Sequence, residues 1–238
     1  MPSVAVAIIC KTPAPGKSKT RLSPPLRPEE CAAISACFIA DLGQTIAGLE
    51  HPAARSCAVY TPAGSEGQLL GILPDFALTL QGDGDLGDRL ARGMDDLLAA
   101  GHDGAIIINS DSPTLPASIL EAAIEAVLAR DQMVIAPAFD GGYTLIGLSR
   151  QHARLFQDIP WSTERVFDLT MARAVEIGLP AKVLDMWYDV DDARSYEMLE
   201  AELAGKVPPF GGPGGGLVNA PATRRFVELR RAYSMAAQ

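Results

Sequence analysis

The chain contains 238 residues, of which 48% are hydrophobic and 21% are charged. This length suits one large domain or two small ones, and the apolar fraction excludes extensive disorder. No apolar run reaches the roughly 20 residues of a transmembrane helix, so we expect no membrane partner. The 4 cysteines form no CxxC pair, which argues against a zinc knuckle or a disulfide scaffold. We therefore expect a soluble, cytoplasmic globular protein.

The charges are distributed unevenly along the chain. The net charge is −9, but the first 28 residues contain five basic side chains and no acidic one. An acidic protein with one basic segment lacks the extended basic face that nucleic acids require, so we expect no nucleic-acid partner. The basic segment instead suits a small polyanion such as a nucleotide phosphate, although a solvated basic loop has the same composition.

Strand-like and helix-like segments alternate along the chain. Apolar runs rich in β-branched residues predict strands at Val4–Cys10, Ser56–Tyr60, Ala77–Leu80, Ala105–Asn109, Met133–Pro137, Thr144–Leu148 and Lys182–Asp185. Helical spacing predicts helices from Pro28 towards Leu49 and at Leu86–Ala100, Pro116–Arg130, Thr163–Ile177 and Asp192–Leu203. This alternation is typical of an α/β layered fold with a largely parallel sheet.

The composition changes near the C-terminus. The run Phe210–Gly216 consists mostly of glycine and predicts a flexible linker. Beyond it, Thr223–Ala236 predicts a short basic helix in which Phe226, Leu229 and Tyr233 share one face. Such a helix can dock back on the chain, pair with a second subunit in a homodimer, or stay mobile. We expect one domain over residues 1–205, followed by a linker and helical tail over residues 206–238.

In open α/β sheets ligands bind at the carboxyl ends of the strands, so the loop after the first strand is a candidate site. Its Gly16-Lys17-Ser18 sequence resembles part of a phosphate-binding Walker A motif, but Lys11 stands where that motif requires glycine. What remains is a loop shaped by Pro15 and Gly16, whose backbone can approach a ligand. Three basic side chains of this loop can clamp phosphate oxygens: Lys11, Lys19 and Arg21.

Carboxylates follow two further strands. Asp111 comes soon after Ala105–Asn109, where it can bind Mg²⁺ or Mn²⁺ as a hard oxygen ligand or can merely cap the next turn. After the last strand, Asp189 and Asp191 alternate on an extended segment, so one of them can point to the site as a second metal ligand. Asp192 suits the N-cap of the following helix. Together with the basic loop, these carboxylates predict a metal–phosphate site.

Two glycine-containing loops complete the candidate site. Gly84 and Gly87 lie between a strand and a helix, where backbone amides can meet a ligand or simply form a tight connection. Gly141 and Gly142 lie in Asp140–Tyr143, which predicts a hairpin turn. The 3 histidines lie away from all these motifs, which argues against a Ser-His-Asp triad or a His-ligated zinc.

Taken in order, these loops resemble those of a known family. The matching segments are Lys11-Thr-Pro-Ala-Pro-Gly16, Lys19-Thr-Arg-Leu22, Gly84-Asp-Leu-Gly87 with Arg89, Asp111-Ser-Pro113, Asp140-Gly-Gly-Tyr-Thr-Leu-Ile-Gly147, Ile159-Pro-Trp-Ser-Thr163 and Asp189-Val-Asp191. Over about residues 3–205 the chain is similar to small bacterial proteins of the glycosyltransferase-A-like (GT-A-like) superfamily, described as nucleotide-diphospho-sugar transferases or glycosyltransferases. It also resembles nucleotidylyltransferases that make cofactors, such as molybdenum-cofactor and phospholactate guanylyltransferases.

The resemblance implies a three-layer αβα fold with a mixed, mostly parallel sheet and a divalent metal, Mg²⁺ or Mn²⁺. By this likeness the nucleotide phosphates bind Lys11, Lys19 and Arg21, and the metal binds Asp111 together with Asp189 or Asp191. Asp140 to Tyr143 would line the acceptor pocket. The chain departs from the guanylyltransferase pattern at Lys11-Thr-Pro-Ala-Pro15, which replaces a glycine-rich loop and leaves the base and a triphosphate donor unspecified.

The sequence therefore predicts a metal-dependent transferase whose donor is a nucleoside triphosphate or a nucleotide sugar and whose acceptor is a small molecule. In nucleotidyl transfer, an acceptor phosphate attacks the α-phosphorus and pyrophosphate leaves. In glycosyl transfer, the sugar carbon is attacked, a nucleoside diphosphate leaves, and Asp140 can act as a base towards the acceptor. The candidate catalytic residues are Asp111, Lys19, Arg21 and Asp140. A nucleotide-binding regulatory protein without turnover is the alternative.

Overall fold

The structure, a computed structural model, describes residues 1–210 and 219–236. Within them one sheet contains β1 (Val4–Lys11), β2 (Ala54–Thr61), β3 (Ala77–Leu80), β4 (Gly104–Asn109), β5 (Met133–Pro137), β6 (Tyr143–Leu148) and β7 (Ala181–Val183). The helices are α1 (Pro28–Ala47), α2 (Glu66–Leu70), α3 (Leu86–Ala99), α4 (Ala117–Ala129), α5 (Val166–Glu176), α6 (Ala193–Leu203) and α7 (Pro221–Ala236). Short 3-10 helices lie at Thr20–Leu22 and Ala153–Phe156. The glycines predicted to form a linker, within residues 211–216, lie outside the described residues.

The strand order is β3-β2-β1-β4-β6-β5-β7. β6 is antiparallel to both of its neighbours, whereas the other pairs are parallel. β6 runs antiparallel to β5 because only the short turn around Asp140–Gly142 separates them, and a parallel connection needs about a dozen residues or more. The prediction of a mixed, mostly parallel sheet is confirmed.

Helices cover both faces of the sheet, which produces the predicted three layers. In β1, Val4, Val6 and Ile8 face the core beside α1 and α4, whereas Ala5 and Ala7 face the core beside α3. All five side chains are fully buried. Successive residues of a strand face opposite sides of a sheet, so a strand covered on both faces requires an unbroken apolar run.

Among the described helices, α1 is the one whose length and apolar composition would allow it to cross a membrane, with a mean hydropathy of 1.2. In this structure 56% of that stretch is buried. Ile34, Phe38 and Leu42 of α1 belong to the same core cluster as β1. In this fold α1 is therefore a core helix, and core helices pass the same test of length and composition.

The main differences from the predicted elements concern α2 and α5. The sequence did not predict α2, because a helix of 5 residues is too short to show the helical period. α5 begins at Val166 instead of Thr163. Ser162 has a φ of 63°, and the Thr163 hydroxyl donates a hydrogen bond to Pro160 O at 2.8 Å. These residues therefore form a turn before the helix begins.

The C-terminal helix α7 docks back on the chain. Of the three apolar side chains predicted to share a face, Phe226 packs against the core, whereas Leu229 and Tyr233 are exposed. Val227, which the sequence pattern did not single out, is fully buried. The homodimer and the domain boundary at residue 205 remain predictions.

The N-cap predicted for α6 is present, because Asp192 Oδ1 accepts a hydrogen bond from Ser195 N at 2.8 Å. We expect Asp192→Ala to lower the free energy of unfolding by about 1 kcal/mol, measured by urea unfolding, because the first turn loses this acceptor. Glu197→Ala, on an exposed position of the same helix, is the control. An equal loss in both variants would contradict the capping role.

Candidate functional site

A cleft of about 330 Å³ opens at the carboxyl ends of β1 and β4, the sheet edge at which open α/β folds bind ligands. Its walls come from the loop after β1, the loop after β4, the segment after β7 and a few further residues. The lining residues are Lys11, Lys17, Ser18, Lys19, Thr20, Arg21, Ser35, Ser110, Asp111, Ser162 and Asp191. The structure therefore brings together five of the predicted site residues: Lys11, Lys19, Arg21, Asp111 and Asp191.

The Lys19 ammonium lies at the centre of this arrangement. Its Nζ is 2.6 Å from Asp111 Oδ1 and 2.8 Å from Asp191 Oδ1. It also donates a hydrogen bond to Val190 O at 2.8 Å, and the Lys19 side chain is only 5% exposed. The backbone of Lys19 is left-handed, with a φ of 49°, at the start of the 3-10 helix Thr20–Leu22. One buried cation thus bridges two carboxylates from different loops.

Backbone and side-chain hydrogen bonds hold these two carboxylates in place. Asn109 Oδ1 accepts hydrogen bonds from Asp111 N at 3.0 Å and from the Ser112 hydroxyl at 2.9 Å. Asn109 therefore holds the turn after β4, so Asp111 is not the cap of that turn. Val190 N donates to Asp111 O at 2.8 Å, which joins the segment after β7 to the loop after β4. This backbone bond brings Asp191 next to Asp111.

The electrostatics follow from burial and from the crowding of carboxylates. Burial alone would lower the pKa of the Lys19 ammonium, but Asp111 and Asp191 raise it, so Lys19 stays a cation at neutral pH. Burial raises the pKa of Asp111, and the Lys19 charge opposes this effect. Burial, together with the charges of Asp140, Asp191 and Asp111, raises the pKa of Asp189 to about 7. Asp189 is therefore electrostatically coupled to three other carboxylates, of which Asp111 and Asp191 line the cleft, whereas Asp140 and Asp189 are not among its lining residues.

The cleft also has exposed basic residues. Lys11, Lys17 and Arg21 line it and are exposed, and within residues 1–210 and 219–236 none of them forms a salt bridge. Lys17 N and Ser18 N both donate to Ala14 O at 3.1 Å, which forms the turn that contains Pro15 and Gly16. The φ of Gly16 is 70°, a conformation that favours glycine. Pro15 and Gly16 thus shape the loop without being among the residues that line the cleft.

The structure places Gly84 and Gly87 outside the lining of the cleft. Both belong to the N-terminus of α3, where Asp85 Oδ1 accepts a hydrogen bond from Asp88 N at 2.9 Å. A Cβ on Gly87 would lie 2.5 Å from Phe156 O. Close packing therefore accounts for glycine at position 87.

The hairpin turn between β5 and β6 has the predicted form. Gly142 N donates to Asp140 Oδ1 at 2.9 Å, and a Cβ on Gly141 would lie 2.2 Å from Glu164 O. Tyr143 packs edge-on against Trp161 with 6.4 Å between ring centres, and its buried hydroxyl has no hydrogen-bond partner within the described residues. Asp140 is exposed. The Asp140 charge contributes to the raised pKa of Asp189, so the hairpin is electrostatically coupled to the segment after β7.

Sequence reasoning missed the hydroxyl groups of the cleft, which are contributed by Ser18, Thr20, Ser35, Ser110 and Ser162. Ser162 carried a signal, because it belongs to the segment Ile159–Thr163 that the family resemblance includes. Ser110 is adjacent to Asp111. Ser35 lies inside the helical pattern of α1, where no local feature distinguishes it from a structural serine.

Within the described residues no group of three or more His, Cys, Asp or Glu side chains is placed to hold a metal ion. Asp111 and Asp191 nevertheless direct one carboxylate oxygen each at a single cation, the Lys19 ammonium. Mg²⁺ is commonly held by one or two carboxylates together with substrate phosphates and water. The donor set therefore fits a divalent ion that binds together with a phosphate ligand.

Known proteins resemble this chain in sequence or in architecture. The family DUF2064, described as an uncharacterized protein conserved in bacteria, matches residues 45–163. No curated protein matches the chain. The crystal structure of a proposed nucleotide-diphospho-sugar transferase from Desulfovibrio desulfuricans G20 is similar over 98% of this chain and 96% of that one, with 26% identity and a TM-score of 0.82.

More distant structures share the fold alone. A cytidylyltransferase from Leptospira borgpetersenii is 11% identical over 98% of this chain and 96% of that one, with a TM-score of 0.58. Glucosyl-3-phosphoglycerate synthase from Mycobacterium tuberculosis, in complex with Mn²⁺ and UDP, is 11% identical over 84% of this chain and 75% of that one, with a TM-score of 0.51. The fold is thus the α/β, GT-A-like fold of nucleotide-diphospho-sugar transferases.

The buried ion pair predicts a characteristic pattern of stability. We expect Lys19→Met to lower the free energy of unfolding by about 3 kcal/mol, because two close carboxylates lose their shared cation. Asp111→Asn in the same chain should recover part of this loss, since it removes one of the two unpaired charges. Lys17→Met, at an exposed lysine of the cleft, should change the free energy of unfolding by less than about 0.5 kcal/mol. Urea unfolding compares five proteins: the wild type, Lys19→Met, Asp111→Asn, the double variant and Lys17→Met. Additive effects of Lys19→Met and Asp111→Asn would contradict the pairing.

Proposed function

We propose that this chain, which belongs to the DUF2064 family of proteins conserved in bacteria, is a metal-dependent transferase that acts on a nucleotide-linked substrate. One observation carries the proposal: the Lys19 ammonium is shared by Asp111 and Asp191 in the wall of a cleft with basic residues. Such a cleft offers carboxylates to a metal and cations to phosphates, which is what transfer from an activated nucleotide requires. The transferases that share the fold support the same class.

The number of basic groups favours a nucleoside triphosphate as the donor. Besides Lys19, which pairs with Asp111 and Asp191, the basic residues Lys11, Lys17 and Arg21 line the cleft. A triphosphate carries more negative charge than one divalent ion neutralises, so further cations are needed to bind it. The diphosphate of a nucleotide sugar needs fewer of them. We therefore assign nucleotidyl transfer as the first candidate reaction.

In this reaction an oxygen of the acceptor forms a bond to the α-phosphorus, the bond from that phosphorus to the bridging oxygen breaks, and pyrophosphate leaves. Arg21 and the lysines of the cleft neutralise the negative charge that accumulates on the phosphate oxygens. Asp111 and Asp191 would hold a divalent ion, which would supply Lewis-acid stabilisation of the same charge. Asp140 and Asp189 lie towards the hairpin, which we assign to the acceptor side. An acceptor that is already an anion needs no base.

Glycosyl transfer from a nucleotide sugar is the second candidate, because the relative with 26% identity is described as a nucleotide-diphospho-sugar transferase. The acceptor oxygen then attacks the anomeric carbon, and a nucleoside diphosphate leaves with the electrons of the broken carbon–oxygen bond. If the acceptor is a hydroxyl group, the exposed Asp140 carboxylate takes its proton. The basic residues of the cleft would then stabilise the departing diphosphate.

We also propose that the protein acts in the cytoplasm. Its four cysteines, Cys10, Cys31, Cys37 and Cys57, are all free thiols. Burial raises the pKa of Cys10 to about 12 and those of Cys37 and Cys57 to about 11, so these three thiols are unreactive at neutral pH. Unpaired cysteines are usual in a reducing compartment.

The donor can be identified by the product that leaves. The wild-type protein is incubated with Mg²⁺ or Mn²⁺, with one nucleoside triphosphate or nucleotide sugar at a time, and with a panel of small phosphorylated and hydroxylated acceptors. Release of pyrophosphate indicates nucleotidyl transfer, and release of a nucleoside diphosphate indicates glycosyl transfer. Asp111→Asn should slow turnover on the order of 100-fold, because it removes a metal ligand. Asp96→Asn, which changes an exposed carboxylate on α3, is the matched control and should leave turnover unchanged. Metal-independent nucleotide binding that survives Asp111→Asn would instead favour a regulatory protein without turnover.

Metal and nucleotide should bind cooperatively. Because the Lys19 ammonium already contacts one oxygen of Asp111 and one of Asp191 and offsets part of their charge, we expect the free protein to bind Mn²⁺ weakly. The nucleotide-bound protein should bind it at least about tenfold more tightly. Titration of Mn²⁺ followed by its electron paramagnetic resonance signal, with and without nucleotide, measures the difference. Equal Mn²⁺ affinities in the two titrations would contradict a metal site completed by phosphate.

A further inference from the structure

The helix α7 contacts the segments on both sides of the Lys19 ion pair. Asp41 of α1 accepts hydrogen bonds from Ala222 N at 2.9 Å and Thr223 N at 2.8 Å, and Asp41 is only 1% exposed. These bonds satisfy two backbone donors that the first turn of a helix leaves unpaired. With Val227 buried in the core, the start of α7 is fixed on α1.

One arginine of α7 contacts the end of the basic segment, which is the stretch from Lys19 to Leu26. Arg230 Nη2 donates a hydrogen bond to Pro25 O at 2.7 Å, and its Nε is 3.8 Å from Glu30 Oε1. Pro25 lies between the 3-10 helix that begins directly after Lys19 and the start of α1. On either side of Pro25, Leu22 and Leu26 are fully buried. The segment from Lys19 to Leu26 is thus held by its ion pair, by two leucines and by Arg230.

Two other arginines of α7 reach α6. Arg224 donates a hydrogen bond to Leu203 O at the end of α6, and Arg231 Nε is 3.5 Å from Glu200 Oε1. α6 begins just after Asp191, the second carboxylate that binds Lys19. α7 therefore links the two structural elements that carry Lys19 and Asp191.

We propose that α7 is a positioning element of the site, in which Arg230 holds the basic segment at Pro25 and thereby places Lys19 and Arg21 relative to Asp191. The structural part of this proposal stands on the contacts above, and the effect on phosphate binding rests on the proposed function. A preorganised basic segment binds a polyphosphate more tightly, because less conformational entropy is lost on binding. Among the described residues, Arg230 forms no hydrogen bond or salt bridge with a lining residue of the cleft, so it acts through the segment that it holds.

The test compares Arg230→Gln with Arg225→Gln, a matched variant at an exposed arginine of the same helix that has no described salt bridge or side-chain hydrogen bond. The first readout is hydrogen–deuterium exchange of the amides of Leu22, Ser23 and Leu26, which are hydrogen-bonded within the basic segment. Arg230→Gln should accelerate their exchange by about fivefold or more and leave the amides of β5 unchanged. Unchanged exchange in the basic segment, or equal acceleration in β5, would overturn the proposal.

The second readout is the affinity for magnesium tripolyphosphate, which presents the phosphate chain without a base. Arg230→Gln should weaken binding about fivefold in the wild-type background and much less in an Arg21→Gln background, because the effect passes through Arg21. Equal effects in both backgrounds would overturn the assignment of Arg21 as the residue that α7 positions. If the wild-type protein binds no polyphosphate or nucleotide, the proposed function fails, whereas the exchange measurement still decides whether α7 holds the basic segment.

Discussion

The contact on which this site depends is the pairing of the buried Lys19 ammonium with the carboxylates of Asp111 and Asp191. A cation with 5% of its side chain exposed has lost most of its hydration, and the two carboxylates and the carbonyl of Val190 replace it. These partners follow strands β4 and β7, whereas Lys19 follows β1. A single ammonium group therefore ties three loops together at one edge of the sheet.

The same pairing sets much of the charge of the cleft. The Lys19 ammonium offsets part of the negative charge of Asp111 and Asp191. Lys11, Lys17 and Arg21 line the same cleft as exposed cations. A ligand that carries phosphates matches these exposed cations. The cleft thus presents charges of both signs, which a uniformly charged surface would not.

The fold by itself does not choose the reaction. Proteins described as a cytidylyltransferase and as a glucosyl-3-phosphoglycerate synthase share this arrangement of strands and helices with the chain. In such folds the sheet supports the loops, and the residues that bind the substrate and catalyse the reaction lie on the loops. Here the loops are held in turn by peripheral contacts, including the close packing at Gly87 and Gly141 and the contacts of α7 with α1 and α6. We therefore expect changes well outside the cleft to alter its geometry.

Much of the fold follows from local patterns in the sequence. The bounds of β3 and β5 and the N-cap at Asp192 agree with the prediction, because residue alternation, turn residues and capping depend on neighbours along the chain. The rule that ligands bind where strands end also selected Lys19, Asp111 and Asp191. Only the tertiary structure decided that Lys19 is buried between the carboxylates, that Asn109 and not Asp111 holds the turn after β4, and that Ser35 reaches the cleft. These outcomes depend on which strands are neighbours in the sheet and on how closely the helices pack, and contacts between residues so distant in sequence leave no local pattern.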